Sequence, residues 1–192
     1  IRKRRESLGS IDFDTKEGKI LLDSKGKAID VVLRERGESE KIIEDFMICA
    51  NEVVANHMKW LELPSMYRVH EQPDPKKMRE FVHIAQLNGL KFRGNVLNVY
   101  PKQCQALLKE AKKKPEHSVI STSLLRCMAK AKYDSKCLGH FGLGLQEYTH
   151  FTSPIRRYPD LVVHRMLRKY CFNENTSDLK HDETWVEKAA LK

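Results

Sequence analysis

Long apolar runs are missing from this 192-residue chain. A membrane-spanning helix needs roughly 20 consecutive apolar residues, and stretches here such as Val31 to Leu33 or Leu161 to Val163 are far shorter. A leader is not visible either: Ile1-Arg2-Lys3-Arg4-Arg5 has no apolar segment behind it. Paired cysteines are also lacking. Cys49, Cys104, Cys127, Cys137 and Cys171 form no C-x-x-C, and their number is odd. That argues against a zinc ribbon and against a disulfide framework, and it suggests reduced thiols in a cytoplasmic setting. There is no internal repeat and no low-complexity tract. Strands and helices do not alternate as a doubly wound sheet requires.

Positive charge is present in excess. Thirty-five Lys and Arg stand against 26 Asp and Glu, a formal net charge of +9. Such a balance suits an anionic partner, nucleic acid above all, although ordinary solubility gives the same count.

Hydrophobic periodicity predicts an α+β chain with more helix than strand. Residues 10–15 and 19–23 alternate like strands. Asp23-Ser24-Lys25-Gly26-Lys27 signals a turn, so residues 19–34 read as a β-hairpin. A long helix follows, with Ser39 as its expected cap and Pro64 as its stop. Ile42, Ile43, Phe46, Met47, Ala50, Val53, Val54 and Met58 make one apolar stripe on it. Pro75 opens another helix, ending at Asn88-Gly89. Further helices are expected over 101–113 and 117–132, and from about Pro159 to Phe172. A polar linker is expected over 173–182, and Trp185 to Leu191 reads as the start of an amphipathic helix.

The informative segment is Gly139 to Arg165. Glycines flank Leu143, where the backbone can approach another group closely. Thr152, Ser153, Arg156 and Arg157 crowd a turn just before a helix begins. Hydroxyls, guanidinium groups and helix-end amides together bind phosphate and stabilise charge on it. Asp160 and His164 lie four residues apart on that helix and could pair. Asp160 is equally explained as a first-turn carboxylate favoured by the helix dipole.

This string resembles the signature of the RNase II/RNase R family, H-F-G-L-x-L-x-x-Y-x-H-F-T-S-P-I-R-R-Y-P-D-L-x-x-H-R. The resemblance continues through Asp12-Phe13-Asp14, Ile43 to Asn51 and Tyr67-Arg68-Val69-His70, in the family's order. It favours the RNase R side of the family. It implies a helix-rich part of an RNB-type catalytic domain with a small antiparallel β portion. The implied activity is processive 3′→5′ hydrolysis of single-stranded RNA to nucleoside 5′-monophosphates, with Mg²⁺ held by aspartates. No obligate protein partner and no membrane are implied.

Carried over residue by residue, the resemblance makes Arg156 the catalytic arginine at the scissile phosphate. Phe13 would stack on the 3′-terminal base, and Glu44 would contact the terminal nucleotide. His70, Ser153, Arg157, Tyr158 and His164 would line the RNA path. Structural explanations compete: Phe13 sits in an alternating stretch and would otherwise be core, and Glu44 suits the first turns of its helix. Asn51, seven residues after Glu44, shares its helix side and would permit joint contact with a ribose or phosphate. The family's D-x-D-D-type aspartate motif is expected before Ile1. Asp12 and Asp14 do not replace it, because in the family's order they flank the base-stacking residue. Cold-shock-like domains and an S1 domain are also expected outside residues 1–192, and residues 1–192 without the aspartate motif are expected to be inactive alone. The rivals are a non-catalytic RNA-binding module and a helical scaffold whose basicity is incidental.

Overall fold

A computed structural model describes residues 1–13, 18–33 and 37–191. Helix α1 (Arg2–Leu8) precedes a hairpin of β1 (Gly18–Leu22) and β2 (Ala28–Leu33). Then come α2 (Glu38–Trp60), β3 (Tyr67–Val69), α3 (Pro75–Leu87), α4 (Pro101–Ala111) and α5 (His117–Cys127). Strand β4 (Lys132–Asp134), a 3₁₀ turn (Phe141–Leu143), α6 (Tyr158–Leu167), a π-helical turn (Arg168–Phe172) and α7 (Leu179–Ala190) complete the order. The expected α+β class, mostly helix with small antiparallel pairs, is what the chain forms. No helix among the described residues is long and apolar enough to cross a membrane.

Two cores hold the elements. The first joins α3, α4 and α5 through Met78, Phe81, Leu107, Leu108, Ile120 and Leu124, with Phe141 of the 3₁₀ turn packed on it. The second joins the end of α2 to α6 and α7 through Met58, Met66, Val162, Val163, Met166 and Val186. Burying one such side chain fully contributes about 1.5–3 kcal/mol, so these two clusters fix where the signature segment lies. Strand β3 supports that segment directly. It pairs antiparallel with β4, Tyr67 opposite Asp134, and Tyr67 also bridges to Thr149.

Several boundaries follow the expected chemistry. Asp74 caps α3 by accepting the Lys77 amide at 2.9 Å, with Pro75 in the first turn. In the hairpin turn Asp23 Oδ1 accepts the amides of Lys25 (2.8 Å) and Lys27 (2.9 Å).

Others differ. Helix α2 starts at Glu38, so Ser39 lies inside its first turn and makes no cap; Glu38 and Glu40 complement the positive helix end instead. Half of the predicted stripe on α2 is outward. Ile42, Ile43, Phe46 and Val53 are exposed, while Asp45, Ile48, Asn51, Ala55 and Met58 face inward. Arg2 and Arg5 from α1 claim Asp45, and this draws the polar side of α2 into the interior. Residues 11–13 are not a strand, because the Ile11 amide is spent on the Gly142 carbonyl at 2.9 Å. Asp14, the second acid of the D-x-D, lies outside the described residues, as does Arg34 at the end of the predicted hairpin. Helix α5 stops at Cys127 because residues 132–134 pair with β3. The expected linker yields to α7 at Leu179.

Gly144 shows what its glycine is for. Its φ is +66°, and an added Cβ would lie 2.7 Å from the Leu8 carbonyl oxygen. Gly144→Ala is therefore expected to cost about 1–3 kcal/mol, read as a lower urea midpoint at unchanged slope.

Candidate RNA-contacting site

The turn before α6 is built from its own backbone. The Arg156 and Arg157 amides both donate to the Ser153 carbonyl, at 3.3 and 3.1 Å. Asp160, in the first turn of α6 and fully buried, reaches back. One of its oxygens accepts the Ser153 amide at 2.8 Å and the Arg157 guanidinium at 2.7 Å. The predicted Asp160–His164 pair does not form. Asp160 is already engaged by these donors, and His164 Nε2 donates to the Phe151 carbonyl at 2.9 Å while its ring stacks on Phe151, centroids 4.1 Å apart.

Asn51 of α2 fixes the same loop from outside. Its Oδ1 accepts the amides of Phe151 (2.9 Å) and Thr152 (3.2 Å), and its Nδ2 donates to the Tyr148 hydroxyl at 3.1 Å. Asn51 is 2% exposed. It is therefore a brace within the protein rather than the ribose or phosphate contact its spacing from Glu44 permitted.

With the backbone so held, Arg156 is left facing water, while Arg157 stays partly buried on Asp160 and the Thr152 hydroxyl is buried. Arg156 is exposed, and its guanidinium reaches the Ser153 hydroxyl at 3.4 Å. Tyr158 is half exposed and Ile155 fully so. Beside this turn a groove of about 520 Å³ runs along α2. Ile43, Glu44, Met47 and Asn51 form one wall, and Tyr148 and Arg157 the other. Glu44 stands 3.6 Å from Arg5.

The structure thus brings Glu44 and Arg157 to one groove, and places Ser153, Arg156 and Tyr158 on the turn beside it. Phe13 does not line the groove. It packs partly buried against the α3–α5 core, and its carbonyl accepts the Ser121 hydroxyl at 3.2 Å. His70 is spent structurally: Nε2 donates to the Ala129 carbonyl and Nδ1 accepts the Gly142 amide, both at 2.8 Å. Any contact of His70 or His164 with a ligand has to use the ring face or the one ring nitrogen left on His164.

The sequence reading missed the ion network at the entrance of α2. Burial pushes the Asp45 carboxyl up, but hydrogen bonds from Arg2 and Arg5 outweigh it and hold the pKa below the ordinary carboxylate value. The available signal was an acid inside an apolar helical run, with a basic helix 40 residues earlier.

His140 and His150, inside the signature, are held neutral at pH 7. Burial, reinforced by His70 and Arg68, depresses His140 to about 3; burial and Arg157 depress His150 to about 4. Burial also lowers His70. The rings form one cluster, His70 tilted against His140 at 5.0 Å and His140 edge-to-face with Tyr148 at 5.2 Å, and His150 Nδ1 shares a 2.8 Å hydrogen bond with the Tyr133 hydroxyl. An unfolded histidine takes its proton near 6.5, whereas these do so only at lower pH. Their contribution is whole above about 6.5 and is lost as pH falls toward the folded values. The urea midpoint is expected to drop steadily between pH 6.5 and 4.5, with a shallower drop in His140→Gln.

No three His, Cys, Asp or Glu side chains among the described residues are grouped to hold a metal ion. The donor set here does not fit a divalent cation, and the chemistry that these residues offer is phosphate binding by cations, hydroxyls and amides.

The sequence profile of the RNB domain matches residues 1–173. The chain belongs to the RNB family. Ribonuclease R 1 of Lactococcus lactis is 47% identical over 169 residues, which is 88% of this chain and 20% of that protein. Ribonuclease R of Thermotoga maritima is 44% identical over 171 residues, 88% of this chain and 24% of that one. The chain thus spans about a quarter or less of the length of these curated relatives. Among solved structures, Mycoplasma genitalium RNase R in complex with ribose-methylated single-stranded RNA superposes with a TM-score of 0.92 at 34% identity, over 98% of this chain and 30% of that one. Yeast Ssd1, described as a pseudonuclease, superposes at 0.68 with 26% identity, over 81% of this chain and 20% of that one.

Proposed function

We propose that this chain forms the RNA-contacting part of a 3′→5′ exoribonuclease that hydrolyses single-stranded RNA to nucleoside 5′-monophosphates. One observation carries the reading. In the turn before α6, the groups that hold the backbone, Asn51 and Asp160, are buried, while the Arg156 side chain is left exposed beside a half-buried Ser153. A scaffold has no need to fix the backbone under an exposed arginine so firmly, whereas presenting a cation to a charged transition state at phosphorus does. The likeness to RNase R solved with single-stranded RNA supports the same substrate. The metal would be Mg²⁺, supplied with carboxylates from outside the described residues, and the compartment a reducing cytoplasm, in keeping with five unpaired thiols.

The test uses the full gene product with 5′-labelled single-stranded RNA. Stepwise shortening from the 3′ end with release of mononucleotides is expected. Internal cleavage, or release from the 5′ end, contradicts the reading. The 192-residue chain alone, given Mg²⁺ and the same RNA, is expected to release no mononucleotides; robust release would show that residues 1–192 suffice for hydrolysis.

A second reading has an observation of its own, the likeness to a pseudonuclease. A non-catalytic RNA-binding module keeps the phosphate turn and lacks hydrolysis. It predicts salt-sensitive RNA binding by the full gene product with no shortening at any Mg²⁺ concentration.

A further inference from the structure

We propose that Asn51 is a positioning residue that sets the phosphate turn against the α2 wall of the groove; this rests on the reading that the turn meets RNA phosphate. The turn has two kinds of support. Asp160 and His164 come from the same segment, at Ser153 and Phe151, and fix its internal shape. Asn51 comes from α2, about a hundred residues away in sequence, and fixes the segment relative to the helix that carries Glu44. A turn with the right shape in the wrong place still presents an arginine, but not to the atom that needs it.

The amide suits this task for chemical reasons. Its oxygen faces two converging N–H groups, so the side chain has one sensible orientation, with Nδ2 toward Tyr148. Tyr148 is itself buried, and its backbone carbonyl accepts the Arg68 amide of β3 at 3.0 Å. Asn51 therefore ties α2 to the loop at two points and, through Tyr148, to β3. Losing the oxygen leaves two loop amides without their acceptor and lets the turn drift from the groove. A displacement of about 1 Å at a reacting centre costs on the order of 100-fold in rate.

Asn51→Ala in the full gene product is expected to lower kcat on single-stranded RNA by about 100-fold, with KM changed less than about threefold, the pattern of an interaction needed in the transition state rather than for ground-state binding. Asn51→Asp keeps the oxygen acceptor, and the Tyr148 hydroxyl can donate to the carboxylate. It is expected to recover at least about tenfold of the loss. The deciding readout is a double-mutant cycle with Arg156→Ala. If Asn51 acts through the turn, its substitution changes kcat less than about threefold once Arg156 is gone. A full, additive loss in both backgrounds overturns the proposal while leaving the arginine's role intact. If Arg156→Ala alone leaves kcat unchanged, the phosphate-turn reading fails instead, and the proposal fails with it. Should Asn51→Ala not fold, Tyr148→Phe, which strips the other half of the tie, enters the same cycle. Coupling to Arg156 then supports the proposal and additivity overturns it.

Discussion

Arg156→Ala in the full gene product is expected to slow RNA hydrolysis at saturating RNA by about 10²–10³-fold with almost no loss of stability. Both halves follow from where the side chain sits. It is exposed, and its one side-chain hydrogen bond among the described residues is a long one to the Ser153 hydroxyl. Surface substitutions without structural duties change stability by about 0.5 kcal/mol or less. The rate effect is large because the backbone that carries the guanidinium is already fixed by hydrogen bonds, so the turn itself need not reorganise when charge develops. Single-turnover rates and a urea titration of the same preparation separate the two quantities. Arg156→Lys is expected to restore only part of the rate, since an ammonium keeps the charge and loses the planar two-point donor.

Asp160→Ala has the opposite signature. The carboxylate is fully buried and accepts from both Ser153 N–H and the Arg157 guanidinium. Removing it leaves a partly buried cation and a backbone donor without their acceptor. Breaking a buried pair in this way costs about 3–5 kcal/mol; the partial exposure of Arg157 places the expected loss near the lower end. Asp160→Asn keeps an acceptor for the Ser153 amide and is expected to lose less than half as much. Equilibrium unfolding of the two variants side by side checks the order.

Much of this architecture was legible in the amino-acid order, and the exceptions have physical causes. Helices α3 and α4 announce themselves by proline in the first turn, and the hairpin by Asp23 to Lys27. The phosphate turn was legible because hydroxyls, arginines and a helix start fall within six residues of one another. What could not be read were choices made by distant partners. The apolar stripe of α2 predicts an inward face, yet Arg2 and Arg5 bind Asp45 and leave Ile42, Ile43 and Phe46 outward. Asp160 and His164 stand at pairing distance on a helix, but Arg157 and the Phe151 carbonyl claim them first. Phe13 reads as an alternating strand residue, but the Ile11–Gly142 bond draws that stretch off any sheet. Asn51 looks like one polar residue in a helical stripe until the loop a hundred residues later folds onto it.

The most direct test of the account is a fluorescence titration of the 192-residue chain and its Arg156→Ala variant with single-stranded RNA at several salt concentrations, without metal. Salt-sensitive binding by the parent chain is expected. So is a slope of log affinity against log salt that is smaller by about 0.7 in the variant, one phosphate contact's worth on a single strand. Equal slopes and equal affinities for the two proteins would mean that Arg156 meets no phosphate on this surface, and the phosphate turn as described here would be wrong.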